Sequence, residues 1–156
     1  MRILITSDTH GYYSDVSSYV IEKDDIDLIL HAGDNTSDAK AIAYETDVEC
    51  ICVKGNNDYF DYSNEDYELV DIADQRILLT HGHKENVYRT YNKLLEKAKE
   101  CKATIVVFGH THTYYNKYHG DILLLNPGSP SLPRDGKPGF LIMDTDDKIN
   151  IKRINL

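Results

Sequence analysis

The sequence predicts an α/β domain, and three observations carry that prediction. Short apolar, β-branched runs alternate with helical stretches between Ile3 and Phe108. Those runs repeatedly end near a glycine with a carboxylate, an amide or an imidazole beside it. The chain has 156 residues, enough for one domain with a real core. In an α/β protein the carboxyl ends of neighbouring strands share one edge of the sheet, where ligands bind.

Taken in order, Ile3 to Thr6 is the first strand, ending in Ser7-Asp8-Thr9-His10-Gly11. A carboxylate and an imidazole at that spacing can grip one divalent ion. Ser14 to Lys23 suits a helix, with Val16, Tyr19 and Val20 as its apolar positions. Asp27 to His31 is the second strand and leads to Gly33-Asp34; His31, inside the strand, is a packed or supporting group rather than a ligand. A short helix fits Ser37 to Glu45. Val48 to Val53 is the third strand and ends in Gly55-Asn56-Asn57-Asp58. Asn56 offers a neutral carbonyl oxygen, Asp58 a carboxylate.

Tyr59 to Asp66 reads as a loop, and Glu68 to Ile72 and Arg76 to Thr80 as strands, the latter leading to His81-Gly82-His83. Glu85 to Cys101 is predicted as the longest helix, with Val87, Tyr91, Leu94, Leu95 and Ala98 at helical spacing. Ile105 to Phe108 is a buried strand stopped by Gly109 and followed by His110-Thr111-His112. Tyr114 to His119, Asp121 to Leu125, Gly139 to Asp144 and Ile149 to Leu156 read as further strands, with turns at His119-Gly120-Asp121 and Asp146-Asp147-Lys148. All four prolines fall in a stiff loop from Asn126 to Gly139.

Composition narrows the function. Lys and Arg total 17 against 26 Asp and Glu, a formal charge of −9. That sign argues against general nucleic-acid binding and against docking on anionic membranes. The apolar run at the amino terminus, Met1 to Thr6, is too short for a signal peptide or a membrane span. Cys50, Cys52 and Cys101 have no Cys-x-x-Cys spacing and read as reduced, mostly buried thiols of a cytoplasmic protein. Cys50 and Cys52 are not expected to form a metal pair.

Asp8-x-His10, Gly33-Asp34, Gly55-Asn56-Asn57-Asp58, His81 and Gly109-His110-x-His112 together resemble the calcineurin-like metallophosphoesterase superfamily. The later Asn126-Pro127-Gly128-Ser129-Pro130 with Arg134 is similar to its small single-domain bacterial and archaeal phosphodiesterases, a branch that also holds the retromer subunit of like fold. The resemblance implies a single domain over 1–156, a four-layer α/β/β/α sandwich with two mixed β-sheets. It implies two divalent metal ions, one on Asp8, His10 and His112, the other on Asn56, His81 and His110, with Asp34 bridging. It also implies a homo-dimer or homo-tetramer acting on a small phosphate ester.

The ligand set is nitrogen and oxygen without thiolate, which suits Mn²⁺ first, with Fe, Ni²⁺ or Zn²⁺ as alternatives. Two such ions activate a hydroxide for in-line attack at phosphorus. Asn57 departs from the pattern: many members carry a histidine there to help the leaving group. An amide can hold a phosphate oxygen but cannot act as a general acid. Good leaving groups are therefore expected to be preferred. His83 is the candidate proton donor, Asp58 is expected to orient a ligand histidine, and Arg134 to reach the substrate phosphate. Tyr12, Tyr13, Tyr59, Phe60 and Tyr62 either stack a nucleobase at the pocket mouth or cover core edges or a subunit contact, the latter expected. The competing readings are a catalytically weak scaffold of the same fold and a metal store. Neither needs every ligand position filled along with open positions on the phosphate side.

Overall fold

Alternation along the strands dictates the layers. In β1 (Arg2–Thr6) Ile3 and Ile5 face one way and Leu4 the other; in β2 (Leu28–His31) Leu28 and Leu30 oppose Ile29. A strand with apolar residues on both faces must be covered on both. The computed structural model, which describes residues 1–146 and 148–156, meets that demand with two sheets between helices.

The first sheet has five strands in the order β10-β9-β1-β2-β3, with β3 at Cys50–Cys52, β9 at Gly139–Asp144 and β10 at Asn150–Asn155. β1, β2 and β3 run parallel; β9 and β10 are antiparallel. The second has the order β4-β5-β6-β8-β7, from Tyr67–Ile72, Gln75–Thr80, Ile105–Val107, Ile122–Pro127 and Tyr114–His119. There β5, β6 and β8 are parallel.

Ile3, Ile5, Leu28 and Leu30 of the first sheet meet Ile77, Leu79, Val107 and Leu125 of the second in the central core. Helices α1 (Ser14–Lys23) and α2 (Thr36–Thr46) cover the outer face of the first sheet through Val16, Val20 and Ile42. Helix α3 (Asn92–Glu100) covers the second through Leu94 and Ala98. The four-layer α/β/β/α sandwich with two mixed sheets is the fold the resemblance implies. No helix among the described residues is long and apolar enough to cross a membrane.

Three boundaries differ from expectation. The helix expected from Glu85 begins only at Asn92, because Asn86 takes a left-handed conformation (φ 57) and residues 83–89 close short turns instead. The third strand shortens to Cys50–Cys52, while β8 runs on through Asn126 to Pro127, where a missing N–H is tolerated at a strand end. The turn expected at Asp146-Asp147-Lys148 includes Asp147, which lies outside the described residues.

Candidate metal centre

The carboxyl ends of β1, β2, β3, β5 and β6 lie along one joined edge of the two sheets, and the ligand-type residues follow directly. Asp8, His10, Asp34, His110 and His112 all have positive φ, between 47 and 67°. Non-glycine residues rarely hold that conformation, and strain of this kind clusters at functional sites. Two glycines make the approach feasible. A Cβ on Gly109 would lie 1.9 Å from Ser7 Oγ, and one on Gly55 would lie 2.0 Å from Asp34 Oδ1. No side chain fits at either place.

The donor atoms of Asp8, His10, Asp34 and His112 lie within 4.8 Å of one another. His10 Nε2 is 3.3 Å from His112 Nε2, and His112 Nε2 is 3.2 Å from Asp8 Oδ1. His81 Nε2 lies 3.5 Å from Asp34 Oδ1 and 3.1 Å from Asn56 Oδ1. The His110 ring is 5.1 Å from that of His81, and the His110 amide donates to Asp8 Oδ2 at 3.0 Å. All seven residues implied as metal ligands thus meet at one spot.

Their protonation suits a cation. The Nδ1 atoms of His81 and His112 face the carbonyls of Ala32 and Leu132, at 2.7 and 2.8 Å. A carbonyl only accepts, so both Nδ1 atoms carry a proton, and in its neutral form each ring turns a lone pair inward at Nε2. Asp8 Oδ1 is buried and has no aligned donor among the described residues. Such an oxygen, facing imidazole lone pairs, fits a metal better than a neutral pocket. Burial pushes the Asp8 carboxyl up, but the His112 and His81 rings outweigh it and hold it below its ordinary value. Its closeness to Asp8 raises His112, while burial lowers His110 to about 4.

Supporting contacts fix the ligand loops. Ser7 Oγ donates to Asp8 Oδ2 at 2.7 Å, and Ser129 Oγ to the Asp8 carbonyl at 2.7 Å. Asn126 Nδ2 donates to the Gly109 carbonyl at 2.8 Å. Beneath the first loop, His31 Nδ1 accepts from the Gly33 amide, so His31 Nε2 carries the proton that faces Thr9 Oγ1 at 3.2 Å. Thr9 Oγ1 in turn donates to Asp38 Oδ2 at 2.6 Å, which also takes the Gly11 amide at 2.7 Å. His31 is therefore a support, as expected, and burial drops its pKa to about 4.

Several residues stand differently from expectation. Asp58 does not orient a histidine: its carboxylate accepts from the amides of Asn35, Thr36 and Gly55 at 2.8–3.0 Å, tying the third ligand loop to the start of α2. Asn57 turns inward, its Nδ2 donating to Asp34 Oδ2 at 2.6 Å and its amide to Oδ1 at 3.0 Å. His83 stands at the rim, its ring 5.3 Å from His81, with burial lowering its pKa. Tyr12, Tyr59, Phe60 and Tyr62 do not cover core edges; all are exposed, while Tyr13 packs on the outer core.

Tyr88 is the residue the sequence concealed. Its hydroxyl donates to the His110 carbonyl at 3.0 Å and accepts from Arg134 Nη1; the Arg134 amide donates to the His112 carbonyl at 2.9 Å. Arg134 is thus strapped to the His110–His112 loop at two carbonyls. Only the turn signal at Asn86, hidden inside a helical pattern, hints that Tyr88 leaves the helix.

Two mixed sheets whose strand ends pool nitrogen and oxygen donors define a metallophosphoesterase-type domain. The chain belongs to the calcineurin-like phosphoesterase superfamily, whose domain model matches residues 1–148. It is 33% identical to a probable metallophosphoesterase of Methanocaldococcus jannaschii, over 99% of this chain and 81% of that protein. A phosphodiesterase of the same organism is 29% identical, over 95% of each chain. Wild-type Vps29 of Entamoeba histolytica, solved with Zn²⁺, shares the fold at a TM-score of 0.78 and 20% identity, covering 99% of both chains.

Proposed function

We propose that the protein is a dinuclear metal-dependent phosphodiesterase, with Mn²⁺ as its working ion. The observation that supports this most is the cluster of Asp8, His10, Asp34 and His112, with His81 Nε2 3.5 Å from Asp34, around a buried Asp8 oxygen that has no aligned donor. Asp8, His10 and His112 would hold one ion, Asn56, His81 and His110 the other, and Asp34 both. Bound divalent ions supply Lewis-acid charge and a water acidic enough to act as a nucleophile near neutral pH.

The chain's own residues do the rest. Asp8 and Asp34 offset only about half of the charge two divalent ions bring, so the site stays positive inside a chain of −9. A phosphate is therefore drawn there rather than to the surface at large. Arg134, held by Tyr88 and the His112 carbonyl, would take a substrate phosphate oxygen in a charge-assisted hydrogen bond. Asn57 holds Asp34 in place instead of touching substrate. His83, neutral at pH 7 because burial lowers its pKa, is a weak proton donor. Esters of acidic alcohols should therefore be the better substrates.

The free thiols fit a reducing, cytoplasmic setting, and burial pushes that of Cys52 up to about 11. Homo-oligomerisation is expected from the resemblance. The protein-interaction reading has less support, since it leaves the ligand geometry without a purpose. Hydrolysis of bis(p-nitrophenyl) phosphate tests the proposal. It should vanish after chelation and return with Mn²⁺; full turnover in chelator, with metal analysis showing none bound, would refute it.

A further inference from the structure

Beside the metal centre lies a cavity of about 580 Å³ bordered by Ser37, Lys40, Asn57, Tyr59, Phe60 and Tyr62. It shares a wall with the ligand cluster, because Asn57 is bonded to Asp34 through both its amide and its side chain. Its size suits a small organic ligand. Tyr59, Phe60 and Tyr62 are 75, 88 and 89% exposed, an unusual concentration of aromatic surface next to a reaction centre.

The loop that carries them is pinned. Asp58 accepts from three backbone amides at its base, and Asp61 accepts from the Ser63 and Asn64 amides and from Asn64 Nδ2 at 2.6–3.1 Å. The rings are therefore displayed by a closed turn rather than by a loose strand. Both acids of the loop are occupied by these donors, which blunts their repulsion of an anionic ester. The rim cation, Lys40, bonds a hydroxyl, Ser63 Oγ at 3.2 Å, and not a carboxylate. It is available to a sugar or base oxygen.

We propose that this cavity is a nucleoside subsite, so that the substrate is a phosphodiester one of whose ester groups is a nucleoside. This rests on the phosphodiesterase reading above. The base stacks on the exposed rings, the polar rim of Ser37 and Lys40 meets the sugar and base oxygens, and the phosphate reaches the metal centre past Asn57. A simple alkyl ester would leave the rings unused. Hydrolysis adds water across one P–O bond, releasing the other alcohol and leaving a nucleoside monophosphate.

Two esters with the same leaving group test it: thymidine 5′-(p-nitrophenyl) phosphate and methyl p-nitrophenyl phosphate, each with the Mn²⁺-loaded protein. Stacking on aromatic rings predicts that kcat/KM favours the thymidine ester by at least about tenfold, mostly through KM. In the Tyr59→Ala/Phe60→Ala/Tyr62→Ala variant that preference should fall to near unity. No preference in the wild type, or one that survives in the variant, overturns the subsite. So does dissociation of an oligomer in the variant, which would make the ring cluster a contact between copies.

If neither ester is hydrolysed, the phosphodiesterase reading fails, and binding decides the subsite separately. The chain contains no tryptophan, so Phe60→Trp provides a single indole in the cavity, which can be excited at wavelengths longer than the tyrosines absorb. Thymidine monophosphate should quench it saturably; unchanged emission at millimolar nucleotide would sink the subsite.

Discussion

The two sheets contribute unlike halves to the centre. The first provides three oxygen donors and one imidazole: Asp8, His10, Asp34 and Asn56. The second provides imidazoles alone: His81, His110 and His112. Each half is poor by itself. Asp8 and Asp34 are 0 and 2% exposed, and buried carboxylates need opposing charge or donors. Of the imidazoles opposite, burial lowers His110 to about 4, while Asp8 raises His112. A cation would satisfy both halves at once. The centre thus exists only where the two sheets are packed together, and metal binding and sheet packing should stabilise each other.

The hardest blow to that coupling is Asp34→Ala. It removes the group that faces His81 Nε2 at 3.5 Å across the seam and His10 Nε2 at 3.8 Å on its own side. We expect kcat/KM on bis(p-nitrophenyl) phosphate to fall about a thousandfold, about 4 kcal/mol of transition-state stabilisation. A loss below tenfold would mean that the halves work separately.

Next comes Gly109→Ala, which wedges a methyl between the sheets at Ser7. It should cost about 2–4 kcal/mol and lower Tm by about 5–15 °C by calorimetry. Gly120→Ala is the matched control. Its φ of +62° is strained, but nothing lies within 4 Å, so a loss of about 1 kcal/mol is expected.

A smaller effect follows from His31. Its folded pKa of about 4 lies below the ordinary value of 6.5, so below that value the unfolded chain binds the extra proton. Its contribution is intact above pH 6.5 and is lost as pH falls towards 4. Urea denaturation should show about 3 kcal/mol lost over that window, and His31→Gln should flatten the slope. The smallest effect is Tyr88→Phe, which removes the hydroxyl's bonds to the Arg134 guanidinium and the His110 carbonyl and leaves every ligand side chain in place. KM should rise about threefold to tenfold with kcat nearly unchanged, about 1 kcal/mol of hydrogen bond. A fall in kcat alone would remove Arg134 from substrate binding.

The ligand loops were readable because each places a donor residue and a glycine straight after an apolar run, a local signal that survives without tertiary information. The α/β class followed from the same runs. What distance concealed were contacts made across the chain: Ser129 on the Asp8 carbonyl, Asp38 under Thr9, Tyr88 between His110 and Arg134. Tyr88 was doubly hidden, since the helical spacing of Val87, Tyr91 and Leu94 continues through a stretch that Asn86 breaks. Asp58 binds no histidine because two amides at the start of α2 and the amide of Gly55 in its own loop lay closer.

Native mass spectrometry of the protein with Mn²⁺, beside the Asp34→Ala variant, tests the convergence of the two sheets most directly. The wild type should carry two ions per chain and the variant one or none. A wild type that binds no ion at saturating Mn²⁺, or a variant that keeps both, would contradict a shared metal centre at the seam.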